Sequence, residues 1–108
     1  MLETIVTTNQ QAALVQPAGD LVAALLPELR AAMHDAVAGG VREMTLDFSK
    51  VQMVDSAGIG LLMAAHNSLR KVGGHLAVIH ASAEVADLFR SMRIHRHVSV
   101  SEKGPEQS

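Results

Sequence analysis

The 108 residues contain no cysteine, no tryptophan and no tyrosine, and only two phenylalanines, Phe48 and Phe89. Without thiols the chain forms no disulfide, holds no thiolate-bound metal and performs no thiol catalysis, a composition compatible with a reducing cytoplasm. Almost without rings, it offers no platform for stacking single-stranded bases, and its core has to be aliphatic. An excess of one charge is also missing. Nine Lys and Arg against eleven Asp and Glu leave a net charge of −2, so nucleic acid finds no basic footprint. No apolar run approaches the roughly 18 residues that a membrane-spanning helix needs. The opening MLETIVTTNQ lacks the basic and apolar regions of a signal peptide. These absences predict a cytoplasmic protein with no nucleic-acid partner and no membrane insertion.

What is present fits one globular domain: 48% hydrophobic and 19% charged residues. Residues 3–8 (ETIVTT) and 12–17 (AALVQP) predict a hairpin turning at Asn9-Gln10 and ended by Gly19-Asp20. From Leu25 the apolar spacing turns helical through Val37, with Pro27 tolerated in the first turn and Gly39-Gly40 as terminator. Residues 41–48 (VREMTLDF) predict a central strand, after which VQMV (51–54) leads to the surface. Between Ala57 and Val72, Ile59, Leu62, Met63, His66, Leu69 and Val72 recur at helical steps, closed by Gly73-Gly74. HLAVIH (75–80) predicts a short strand. Ser82 caps a third helix over 83–92 that turns Val85, Leu88, Phe89 and Met92 to one side, and HVSV (97–100) gives a last strand. The order β-β-α-β-α-β-α-β predicts an α/β fold: a mixed β-sheet with an N-terminal hairpin, parallel neighbours and flanking helices.

In such a sheet, functional loops lie beyond the carboxyl ends of strands, and "MVDSAGIG" (53–60) occupies one of these junctions. Asp55 or Ser56 before an apolar helical run is a common N-cap, and Gly58 and Gly60 could serve close packing against a neighbour. Yet each glycine costs a helix about 0.5–1 kcal/mol against alanine. A flat helix start makes sense if another molecule lies against it. A phosphoryl group on Ser56 would face unpaired N–H groups and the positive end of the helix dipole. It would also add roughly −1.5 to −2 of charge beside Asp55, which a docked partner would have to desolvate. That is a physical basis for a binding switch.

"LDFSKVQMVDSAGIGLLMAAHNSLRKVGG" and "HLAVIHASAEVADLFRSMRIHRHVSV" resemble the STAS domain, and within it the anti-sigma factor antagonists of bacterial partner-switching systems. The resemblance covers roughly residues 41–100 and implies a single STAS-like domain over 1–101 with a polar tail over 102–108. It implies that Ser56 is phosphorylated by a serine kinase that is also the anti-sigma factor, and that a serine phosphatase resets the switch. The unphosphorylated form would bind that kinase and release the sigma factor. Carried over, Asp55 orients the kinase chemistry, and Ala57, Gly58, Ile59 and Gly60 join it and Ser56 in the docking surface. Many members carry a second hydroxyl where this chain has Ala57. An acidic residue common in the family is replaced by Val22, with Asp20 nearby to substitute. The resemblance implies no cofactor, and a monomer or weak dimer. Its rival within the family is a STAS subunit of a lipid-trafficking ABC transporter, or a stressosome-type scaffold, gripping a partner with no phosphorylation cycle.

Other chemistry is weakly supported. His95 and His97 would share a strand face, but without a carboxylate beside them and with Arg93 and Arg96 adjacent they make a poor metal site. His34 and His66 belong at helix margins. Asp55 adjacent to Ser56 is wrong for a hydrolytic triad, and no Gly-x-Ser-x-Gly elbow exists. The chain is expected to be a substrate of enzymes, with no catalytic residues of its own. Arg90, Arg93, Arg96 and Lys103 read as a solvated face or a patch for an acidic partner.

Overall fold

The computed structural model describes residues 4–9, 11–96 and 98–102. The elements are β1 (Thr4–Asn9), β2 (Ala12–Pro17), α1 (Leu26–Ala38), β3 (Glu43–Asp47), α2 (Ser56–Lys71), β4 (His75–Ala81), α3 (Ala83–Ser91) and β5 (Ser99–Glu102). They follow the predicted order. The expected turn residue Gln10, His97, and residues 103–108 with Lys103 lie outside the described residues.

The strands form one sheet in the order β1-β2-β3-β4-β5. β1 and β2 pair antiparallel from Thr4↔Pro17 to Asn9↔Ala12, and the later neighbours are parallel. β3 therefore sits in the middle of the sheet, as expected of the alternating segment 41–48. From β2 onward the strand order follows the chain, so right-handed crossovers place all three helices on one face. Two-residue alternation turns Ala13, Val15, Met44, Leu46, Leu76 and Val78 toward that face, where they are buried. Leu26, Leu29 and Met33 from α1, Leu62 and Leu69 from α2, and Val85 and Phe89 from α3 complete the core. The two aromatic rings find each other there: Phe48 and Phe89 meet edge-on, with centroids 6.2 Å apart and planes at 65°.

Helix ends follow local chemistry. Pro27 is the second residue of α1, where a missing N–H is harmless, and a 3-10 turn over Ala23–Leu25 leads into it. Gly40 and Gly73 adopt φ of 110° and 78° just beyond α1 and α2, a conformation that favours glycine.

Four expectations need correction. Met92 lies beyond the end of α3 and is 51% exposed, so it does not join Val85 and Phe89 in the core. Val72, the C-cap of α2, is likewise exposed. The segment 51–54 does not simply run outward: Val51 and Val54 are buried and only Gln52 and Met53 face solvent. The last strand also starts two residues later than its β-branched residues suggest.

Candidate partner-docking site

α2 begins at the carboxyl end of the central strand, after the loop 48–55. Asp55 is its N-cap: the Gly58 N–H donates to Asp55 Oδ1 at 2.9 Å. The other carboxylate oxygen, Oδ2, accepts the Ala23 N–H from the loop after β2 at 3.2 Å. The two loops are joined further by backbone bonds from Leu21 N–H to Met53 O (3.0 Å) and from Asp55 N–H to Leu21 O (3.1 Å). Asp20 Oδ1 accepts from Gln52 N–H at 2.8 Å and Met53 N–H at 3.2 Å. Five hydrogen bonds of long sequence separation thus stitch residues 20–23 to 52–55, with a parallel bridge between Leu21 and Val54.

This stitching reassigns several predicted site residues. Gly58 is buried, and a Cβ there would lie 2.7 Å from Leu21 O and 2.8 Å from Val54 Cγ1. Its glycine serves close packing of α2 onto the joined loops and not a flat outer face. Ile59 is 8% exposed and belongs to the core, so it too does not line a docking surface. Asp20 is engaged in holding the loop and is not a free acidic contact. Both oxygens of Asp55 already accept backbone N–H groups, so its established work is structural. Facing outward are Ser56, Ala57 and Gly60, and around Gly60 a Cβ would meet no atom within 4 Å. The Ser56 hydroxyl has no hydrogen-bond partner among the described residues. Sequence reading missed Met53, 57% exposed beside this face. Its place between the buried Val51 and Val54, beside the exposed Gln52, was the available signal.

The root of the loop is polar. Asp47, the last residue of β3, receives the Ser49 N–H at 2.9 Å and lies 3.1 Å from His80 Nδ1 across the strand boundary. Gln16 Nε2 from β2 reaches Asp47 Oδ2 at 3.4 Å and Ser49 Oγ at 3.1 Å. Burial pushes the Asp47 carboxyl up. The Ser49 N–H and side chain and the His80 imidazole outweigh it and hold the carboxyl below its ordinary value.

Elsewhere the surface offers less. Arg90 is taken by Glu102 (2.6 Å) and Asp87 (3.3 Å), which removes it from a basic patch. A groove of about 670 Å³ lies between α1 and α2, lined by Met33, Val37, Leu61 and Ala65 among others. Among the described residues no group of three or more His, Cys, Asp or Glu is placed to hold a metal, and no helix is long and apolar enough to cross a membrane.

A single sheet with helices on one face and a solvent-facing serine at the start of the helix after the central strand define a small α/β domain. The chain belongs to the STAS domain family: the model described as "Mlab, STAS domain" matches residues 5–100. Among solved structures it is similar to an anti-sigma factor antagonist from Mycobacterium paratuberculosis, with 20% identity, 98% of this chain and 89% of that one covered, and a TM-score of 0.82. An anti-sigma-factor antagonist (STAS) domain protein from Planctomyces limnophilus matches at 18% identity, covering 98% and 94%, with a TM-score of 0.80. The phosphorylated form of the Bacillus cell fate determinant SpoIIAA matches at 18% identity, covering 99% and 95%, with a TM-score of 0.73. At these identities the likeness establishes the fold. No curated protein matches the chain.

Proposed function

We propose that this chain is an anti-sigma factor antagonist of the partner-switching type, with Ser56 as its phosphorylation site. The observation that carries the reading is the Ser56 hydroxyl: exposed, without a hydrogen-bond partner among the described residues, and presented by a helix start whose shape is held by two stitched loops. The unphosphorylated face, Met53, Ala57 and Gly60 around Ser56, is uncharged and docks on an anti-sigma factor that is also a serine kinase. Phosphorylation adds roughly −1.5 to −2 of charge on that face next to Asp55 and disfavours docking by desolvation and repulsion. A serine phosphatase restores it. In this reading the chain is an enzyme's substrate and carries no catalytic residue or cofactor. It works in the cytoplasm as a monomer or weak dimer.

The test is incubation with ATP and a switch kinase, followed by mass spectrometry and binding measurements. The expected results are one phosphoryl group on Ser56, none on Ser56→Ala, and retained kinase binding by Ser56→Ala. Ser56→Glu is expected to bind on the order of tenfold more weakly, since one carboxylate carries less charge than a phosphoryl group. Wild-type affinity in both variants rejects the switch.

A second reading is a STAS subunit that grips its partner, such as a transporter ATPase, with no phosphorylation cycle. Two observations favour keeping it. The Asp55 carboxylate is fully engaged in structure, so the face is formed without any modification. The matching family is also described by the name Mlab. Binding of an ATPase with no mass change on Ser56 would select this reading.

A further inference from the structure

We propose that His80 is a positioning residue for the loop that presents Ser56, acting through Asp47. The inference rests on the docking reading of that loop. Three observations meet at this histidine. Its φ is 58°, in the left-handed region that non-glycine residues seldom occupy. The β4–β5 register shifts between Val78 and Ala81, the kind of irregularity that re-aims a side chain. The re-aimed imidazole lands on Asp47, with 3.1 Å between Nδ1 and Oδ1.

Asp47 is held ionised at neutral pH, so it can only accept, and Nδ1 of His80 must carry the donated proton. The same Oδ1 accepts the Ser49 N–H, at the second residue of the loop 48–55. Phe48 N–H donates to Ile79 O at 2.9 Å, so the loop leaves β3 against the residue just before His80. Gln16 reaches both Asp47 and Ser49, which joins the carboxyl ends of β2, β3 and β4 at the loop's root. The far end of the loop is fixed by Asp20, Leu21 and Asp55. Only the root depends on a backbone held in a strained conformation. Without the imidazole, a carboxylate only 14% exposed loses a donor. It then turns toward water and releases the Ser49 N–H, so that the loop bearing Met53 and Ser56 is no longer held in one place.

The test compares His80→Gly with His80→Asn by amide hydrogen exchange on the isolated chain and by affinity for the anti-sigma kinase. Glycine accepts the left-handed φ but removes the donor; asparagine accepts that φ and keeps a short N–H donor. The expected result for His80→Gly is Ser49 amide exchange faster on the order of tenfold, with α3 amides unchanged and kinase affinity reduced by a similar factor. His80→Asn is expected to recover most of both. Unchanged Ser49 exchange in His80→Gly, failure of His80→Asn to restore it, or unchanged affinity alongside faster exchange would each overturn the proposal. Should the glycine variant not fold, His80→Ala, which removes the donor and leaves Asp47 in place, decides by the same exchange readout: faster exchange at Ser49 supports the role and wild-type exchange overturns it. A wild-type chain that binds no kinase would count against the docking reading instead, and Ser49 exchange would still judge His80.

Discussion

α2 and α3 both begin with a capping side chain, yet the two starts are built differently. At α3, Ser82 Oγ accepts the Val85 N–H at 3.2 Å. The contact is local and the first turn carries ordinary side chains. At α2, Asp55 performs the same local task and in addition holds the Ala23 N–H of another loop, while Gly58 lets Leu21 and Val54 approach where a Cβ would stand. One start ends a strand connection; the other is a crossing point of two loops. The difference locates rigidity where Ser56 is displayed. Under the proposed switch, a serine read by a partner gains from a support that does not move.

That contrast can be broken at Gly58. Gly58→Ala is expected to cost about 2–3 kcal/mol, because the obstructing atom at 2.7 Å is the backbone oxygen of Leu21 and cannot swing aside. A drop in Tm of roughly 10 °C or more would register it. Next come the caps. Asp55→Ala removes two acceptors and is expected to cost about 2 kcal/mol, against about 1 kcal/mol for Ser82→Ala in the same denaturant titration. Equal costs would mean that the Ala23 contact contributes nothing. Gly60 sharpens the comparison by its opposite sign. Gly60→Ala is expected to stabilise by about 0.5–1 kcal/mol, since the position is helical and unobstructed. Gly60→Leu is expected to fold and yet dock more weakly.

The smallest effect is at low pH. The folded Asp47 carboxyl titrates below its ordinary value, so its contribution is fully present above roughly pH 4–5 and is lost as pH falls through the folded value. Denaturation of wild type and Asp47→Asn at successively lower pH should show the wild type losing this component and the variant lacking it.

Element order was legible because the apolar spacing changes from two to three-and-four along the chain and glycines punctuate it. Ser82 and Asp55 were legible as caps because capping is local. The meaning of Gly58 was not: its obstacle, Leu21, lies 37 residues earlier in the chain and no local pattern announces it. The same holds for Asp20 and Asp55, whose partners in the other loop are 32 to 33 residues away. His80 read as the end of a strand, since a backbone angle leaves no trace in residue type. Met92 was misplaced because helical periodicity continues past the point where α3 stops.

The Phe48–Phe89 pair has a practical consequence for every binding experiment above. The chain has two phenylalanines and no tryptophan or tyrosine, so it is nearly dark at the wavelengths used to excite tryptophan. In a mixture with a partner, intrinsic fluorescence therefore reports the partner alone. The edge-on pair supplies the complementary signal: phenylalanine fine structure in near-ultraviolet circular dichroism, which reads the packing of this core and nothing else in the chain.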